Sequence, residues 1–187
     1  VVKSEGKIWP LDLRHIGRRA EDRVEVTGLA AVRKALADEP EGDLLTFLPG
    51  AGDIERAATA VEEARLPLVV HRLHGQIDPA LQRAALVRDP GGKRKLILAT
   101  SIAETSLTIE GVRIVIDAGL SRRPRFDKAA GIARLVTERA SQASATQRAG
   151  RAARQGPGVA YRLWEAAATA GMPPFDPPQI PENARSE

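Results

Sequence analysis

Gln147, Arg148, Arg151 and Arg154 bring three guanidinium groups and one amide into a single short stretch. Residues three and four apart lie on neighbouring turns of one helix face, so Gln147, Arg151 and Arg154 would point the same way. Guanidinium groups are planar, permanently charged, and bind phosphate oxygens through paired N–H groups. Two of them beside an amide suit the task of gripping a phosphate chain and placing a water next to it. The intervening Ala149, Gly150, Ala152 and Ala153 are small enough for another surface to come close. Gly156-Pro157-Gly158 is a helix stop, so the spacing predicts one helix over 144–154. A solvated basic helix could carry the same residues, and two other segments decide between these readings.

The first runs from Leu96 to Ile109. Its apolar start, Leu96 to Ala99, reads as a buried strand. It opens into an uncharged loop bearing the hydroxyls of Thr100, Ser101, Thr105, Ser106 and Thr108, and a second apolar run follows from Val112 to Asp117. Hydroxyls at the carboxyl end of a parallel strand sit where open α/β sheets bind ligands. Capping of a helix that starts near Ala103 would account for one or two of the five. The second segment, Leu44 to Glu55, is a strand, a turn containing Gly50 and Gly52, and a helix with Asp53 as its expected N-cap. Free amides at such a helix start can hold a phosphate.

The elements that must position these groups follow from periodicity. Strands are expected at 7–16, 44–48, 68–73, 95–99, 112–117 and 158–164, and helices at 26–39, 53–65, 79–87 and 144–154. Residues 122–126 and 132–138 read as the two arms of a hairpin. Alternating strands and helices predict a mainly parallel sheet with helices on both faces.

Taken together, the three segments resemble the DEAH-box group of superfamily 2 RNA helicases, and within it the bacterial HrpB type. Thr46-Phe47-Leu48-Pro49-Gly50 is similar to motif IV of these enzymes, Ala99 to Ile109 to motif V, and Gln147 to Arg154 to motif VI. Ile8 to His15 resembles the opening strand of their second RecA-like domain. The likeness runs from about Lys7 to about Pro181 and implies a three-layer RecA-like (P-loop NTPase-like) α/β domain with an inserted β-hairpin. It places that domain at 1–172, with a Pro-rich linker at 173–187 leading towards a winged-helix domain. It also implies roles. Arg151 and Arg154 would act as arginine fingers on the terminal phosphates of ATP, and Gln147 would help position the attacking water. Ser106 would sense the nucleotide state, and Thr108 and Glu110 would lie near ribose and phosphates, whereas Arg148 would face elsewhere. Gly50, Gly52, Gly75, Gln76, Thr100 and Ser101 would grip the sugar-phosphate backbone of single-stranded RNA, with Arg122, Arg123 and Arg125 of the hairpin near the emerging strand. Such a grip carries no sequence information.

The chain departs from the family pattern at four positions: Ser101 replaces the usual Asn, Glu110 the usual Asp, Ala153 the usual Gly, and Leu86 an aromatic that stacks on the base in eukaryotic relatives. Weak base stacking would admit several NTPs. No Gly-x-x-x-x-Gly-Lys-Ser/Thr string occurs, and Gly91-Gly92-Lys93-Arg94 has the wrong spacing and precedes its strand. The P-loop, and most of the hold on ATP and Mg²⁺, would therefore belong to a first RecA-like domain, and this chain by itself is expected to hydrolyse no ATP.

Composition agrees. At 187 residues one domain is the default. Net charge is +4, yet residues 112–164 hold eleven basic and three acidic residues, an asymmetry that points to a polyanion partner. One Tyr, three Phe and two Trp are too few for an aromatic base-stacking platform. The absence of cysteine fits a cytoplasmic protein, His15, His71 and His74 are too dispersed for a metal site, and no apolar run has the length of a membrane span. The competing readings are a non-catalytic RNA-binding module and a protein-interaction adaptor on the same fold. Intact Gln147, Arg151 and Arg154 favour the motor, since a binder needs no finger geometry.

Overall fold

Strand alternation sorts the core into two layers. The computed structural model describes residues 9–19, 21–105 and 107–177. In strand β2 (Asp43–Phe47), Leu44 faces one side with Ile54, Ala57 and Val61, while Leu45 and Phe47 face the other with Ala149 and Ala152. The period of two in the strands thus makes a double-sided sheet.

The chain runs β1 (Leu11–His15), α1 (Val24–Asp38), β2, α2 (Ala51–Glu63), β3 (Val69–Leu73), α3 (Pro79–Leu86), β4 (Lys95–Ala99), β5 (Val112–Asp117), β6 (Leu120–Asp127), β7 (Ile132–Arg139), α4 (Gln142–Gly150) and β8 (Gly158–Arg162). Six strands form one sheet in the order β1-β8-β5-β2-β4-β3, every pair parallel. Helices α1 and α2 cover one face; α3 and α4 cover the other. The antiparallel pair β6-β7 forms a separate hairpin, with Leu120 opposite Arg139 and Asp127 opposite Ile132. The predicted three-layer architecture and inserted hairpin are therefore present.

Register aligns the strand ends. Phe47 lies beside both Ala99 and Asp117, and Leu73 beside Ala99. Hydrogen bonds carry this alignment into the loops: Leu48 N donates to Ala99 O at 2.8 Å and Thr100 N to Leu73 O at 3.3 Å. Gly50, Gly75, Gln76, Thr100 and the hairpin accordingly leave the sheet along one edge. The turn into the hairpin needs Gly119, whose φ is +75° and whose missing Cβ leaves room for the Trp164 ring.

Three local expectations are corrected. Gly50, not Asp53, is the N-cap of α2; Asp53 sits in the first turn and pairs with Arg56 at 2.6 Å. The predicted helix over 144–154 stops at Gly150 and tightens into a 3₁₀ turn, Arg151–Ala153. Gly150 weakens the helix, and the Arg151 side chain is drawn onto carbonyls of a neighbouring loop. Gly158 is not the helix stop but the point where β8 slides under that turn; a Cβ there would lie 2.0 Å from Ala152 O. Residues 173–176 run against the start of α4, where Gln142 N and Ala143 N donate to Pro173 O and Pro174 O at 2.7 and 3.1 Å. Lys7, Ile8 and residues 178–187 lie outside the described residues.

Candidate functional site

Helix α4 places the arginines. Ser141 caps it by accepting from Ser144 N at 3.0 Å, and Ala145 and Ala149 let it lie close on the sheet. Arg148 turns inward and is 1% exposed. Its guanidinium donates to Glu104 Oε2 (2.8 Å), Asp117 Oδ1 (2.9 Å), Leu120 O (3.1 Å) and Ser121 Oγ (3.0 Å), and lies 5.3 Å from the Phe47 ring centre. Burial opposes its charge, but Asp117 and Glu104 outweigh that and hold its pKa above the ordinary value.

Arg151 has a different environment. Its Nε donates to Glu104 O at 2.9 Å and its Nη1 to Leu107 O. Burial and then repulsion from Arg154 push its pKa below the ordinary value. Among the described residues no carboxylate lies within 4 Å of Arg151 or Arg154. Both line a pocket of about 170 Å³ with Thr108, Ile109, Leu45, Val112 and Gln155. Drug-sized ligands occupy about 300 Å³ or more, so this pocket has the size of phosphate groups, not of a whole nucleotide. Two guanidinium groups that repel each other, without a counter-charge, give it a local positive charge of the kind that suits anionic oxygens.

Of the residues expected near nucleotide, Arg151, Arg154 and Thr108 share the pocket. Gln147 is exposed on α4 one turn before Arg151. Glu110 does not line the pocket; it accepts from Arg88 N at 3.3 Å, and its own N donates to Leu86 O. Ser106 lies outside the described residues. Sequence reasoning missed Gln155, which accepts from Gly111 N at 2.8 Å and donates to Ile109 O at 2.9 Å, pinning the β4–β5 loop across the pocket.

A second cluster occupies the strand-end edge. Gly52, Gly75, Gln76 and Ser101 are exposed there and Thr100 is half-buried. Arg122 joins them from the hairpin. Its guanidinium covers the Gly50 turn, where an added Cβ would come within 3.1 Å of Cζ. Thr137 Oγ1 accepts from it at 3.3 Å, and Asp53 lies 3.9 Å away. Arg123 and Arg125 are more committed: Arg123 donates to Asp176 at 2.6 Å and Arg125 pairs closely with Glu138.

A RecA-like sheet thus carries a small arginine-lined pocket and, at its strand ends, a row of glycine and hydroxyl loops. The chain belongs to the helicase conserved C-terminal domain family, which matches residues 28–156. It is 43% identical over 164 residues to the ATP-dependent RNA helicase HrpB of Escherichia coli (strain K12), a match covering 87% of this chain and 20% of that protein. It is 36% identical over 193 residues to the probable ATP-dependent RNA helicase DHX34 of Mus musculus, covering 96% of this chain and 17% of that one. The crystal structure of the E. coli DExH-box NTPase HrpB superposes with a TM-score of 0.86 at 39% identity, over 92% of this chain and 21% of that one. The chain thus spans about a fifth of the length of these relatives. The expected likeness to HrpB-type helicases and the RecA-like fold are both borne out.

Proposed function

We propose that this chain, residues 1–172 above all, is the second RecA-like lobe of a cytoplasmic, ATP-dependent RNA helicase. Arg151 and Arg154 reach the terminal phosphates of ATP bound against a first lobe, and Gln147 orients the attacking water. The observation that carries the reading is the pair of guanidinium groups without a carboxylate partner, facing the small pocket beside Thr108. Positive charge held in place there stabilises the charge that spreads over a transferring phosphoryl group, and being preorganised it needs no rearrangement as the reaction proceeds. The residues fit phosphate oxygens. The pocket lining offers Mg²⁺ no carboxylate, only two guanidinium groups, a hydroxyl and an amide, so in this reading the ion and the P-loop fall to the first lobe.

Gly50, Gly52, Gly75, Gln76, Thr100, Ser101 and Arg122 grip the sugar-phosphate backbone of single-stranded RNA, with Arg123 and Arg125 beside it. Residues 173–187 lead towards a winged-helix domain. Among the described residues no helix is long and apolar enough to cross a membrane. The test compares two preparations. The full-length protein should hydrolyse ATP, faster with RNA, and lose this with Arg154→Ala. The present chain alone should hydrolyse none, because its sequence has no P-loop lysine to act with the two arginines on the β- and γ-phosphates. Turnover by the isolated chain that Arg154→Ala abolishes would overturn the two-lobe reading. A full-length protein that binds RNA without hydrolysing ATP would favour a binding module.

A further inference from the structure

Arg148 is the bulkiest fully buried side chain among the described residues, and the roles proposed above make no use of it. We propose that Arg148, with Glu104 and Ser121, is a positioning device that couples the hairpin to the phosphate pocket, so that a polynucleotide engaging the hairpin resets the placement of Arg151; this rests on the motor reading above.

The contacts form one continuous chain. Ser121 and Leu120 are the root of β6, and their hydroxyl and carbonyl accept from Arg148 at 3.0 and 3.1 Å. The same guanidinium donates through Nε to Glu104 Oε2 at 2.8 Å, while Glu104 Oε1 lies 3.3 Å from Ser144 Oγ, a hydroxyl it shares with Asp176. The backbone carbonyl of Glu104 in turn accepts from Arg151 Nε at 2.9 Å. Two bonded residues, Arg148 and Glu104, therefore separate the hairpin from the arginine of the pocket.

A guanidinium is a rigid plane, so its edges cannot move independently. Buried donors that lose their acceptors are left without water to replace them. Displacement of the hairpin root must then move the Arg148 plane, and Glu104 with it, rather than simply break one bond. Asp117, at the end of β5, accepts at 2.9 Å from Nη1, the nitrogen that also donates to Leu120 O, and supplies a fixed point about which the plane can turn.

The test uses the full-length protein, with ATP turnover measured in the absence and presence of poly(U). Ser121→Ala removes one hairpin acceptor and leaves both carboxylates on Arg148. Turnover without poly(U) should stay at the wild-type rate, while stimulation by poly(U) should fall by about fivefold or more, the lower end of typical coupling between sites. Ser121→Thr, which keeps the hydroxyl, should restore it. Poly(U) affinity should not change, because Ser121 grips no strand. Arg148→Lys keeps the buried charge but cannot span hairpin and Glu104 together, and should lose a larger share of stimulation than of poly(U)-free turnover. Full stimulation in Ser121→Ala, or equal losses with and without poly(U), would overturn the proposal. A wild-type protein whose turnover ignores Arg154→Ala would overturn the motor reading first.

Discussion

Arg151 and Arg154 should separate when each is replaced by alanine, because the protein holds them differently. Arg154 is exposed and lines the pocket, whereas Arg151 is 6% exposed and bridges the carbonyls of Glu104 and Leu107. In the full-length protein either change should lower kcat by about 10³-fold, the scale of a lost arginine finger. ATP affinity should fall less, since the fingers act mainly on the transition state. Stability should divide them. Arg151→Ala removes two charge-assisted bonds to backbone, but water can enter the opened pocket and solvate the freed carbonyls, so the net loss is about 2 kcal/mol. For a domain of this size that lowers Tm by about 4–8 °C. Arg154→Ala should leave Tm within about 2 °C, as for other exposed positions. Calorimetry on the present chain and steady-state turnover of the full-length protein read the two effects separately. Equal melting of all three proteins would refute the anchoring of Arg151. Wild-type turnover in both variants would refute the finger assignment.

The isolated chain should bind single-stranded homopolymers at micromolar or weaker Kd, steeply dependent on salt. Replacing Arg122, Arg123 and Arg125 together should flatten that slope by nearer one charge than three, because Glu138 and Asp176 already engage the latter two; Thr100→Ala should weaken binding without altering the slope. Anisotropy across a salt series decides this, and an unchanged slope in the triple variant would remove the hairpin from the interface. Burial, followed by repulsion from Arg162 at His15 and from Lys95 at His71, holds both imidazoles below the ordinary 6.5. The unfolded chain then takes up protons that the folded chain refuses, so stability should fall as pH drops through 6.5 and level off below the folded values. Denaturant melts of the double His→Gln variant should show a flatter pH dependence over that window; an identical one would refute the sign. Tyr161, the sole tyrosine, is pushed up to about 12 by burial and by its hydrogen bond to Asp38, so its phenolate absorbance should appear well above pH 10. A midpoint at 10 would refute that environment.

Much of the fold was legible because its signals are local. Buried parallel strands read as apolar runs, and the strand-helix alternation implied the double-sided sheet that Leu44 and Leu45 display on opposite faces. Helix ends were less legible where tertiary contacts set them. The end of α4 depends on Arg151 reaching carbonyls 47 and 44 residues earlier, which no window of sequence contains. The same holds for Gln155, a single polar residue before a glycine, whose role appears only when Gly111 and Ile109 lie across from it.

The three arginines of one motif show most clearly what spacing leaves undecided. Arg148, Arg151 and Arg154 are the same residue type at equal intervals, and the difference between them lies in where the acids are. Glu104 and Asp117, 44 and 31 residues away in sequence, both turn to Arg148 and cancel its charge in the core. Glu104 offers Arg151 only its backbone carbonyl, which orients a guanidinium without neutralising it. Arg154 meets no carboxylate among the described residues, and its remaining charge is felt by Arg151 as repulsion. Glu104 thus bears on both roles: with Asp117 its carboxylate makes Arg148 an ion pair, while its carbonyl leaves Arg151 aimed, charged and short of an anion. In the function proposed above a phosphate chain would supply that anion, and the positive potential that would receive it belongs to the arrangement of the whole domain, not to the motif alone.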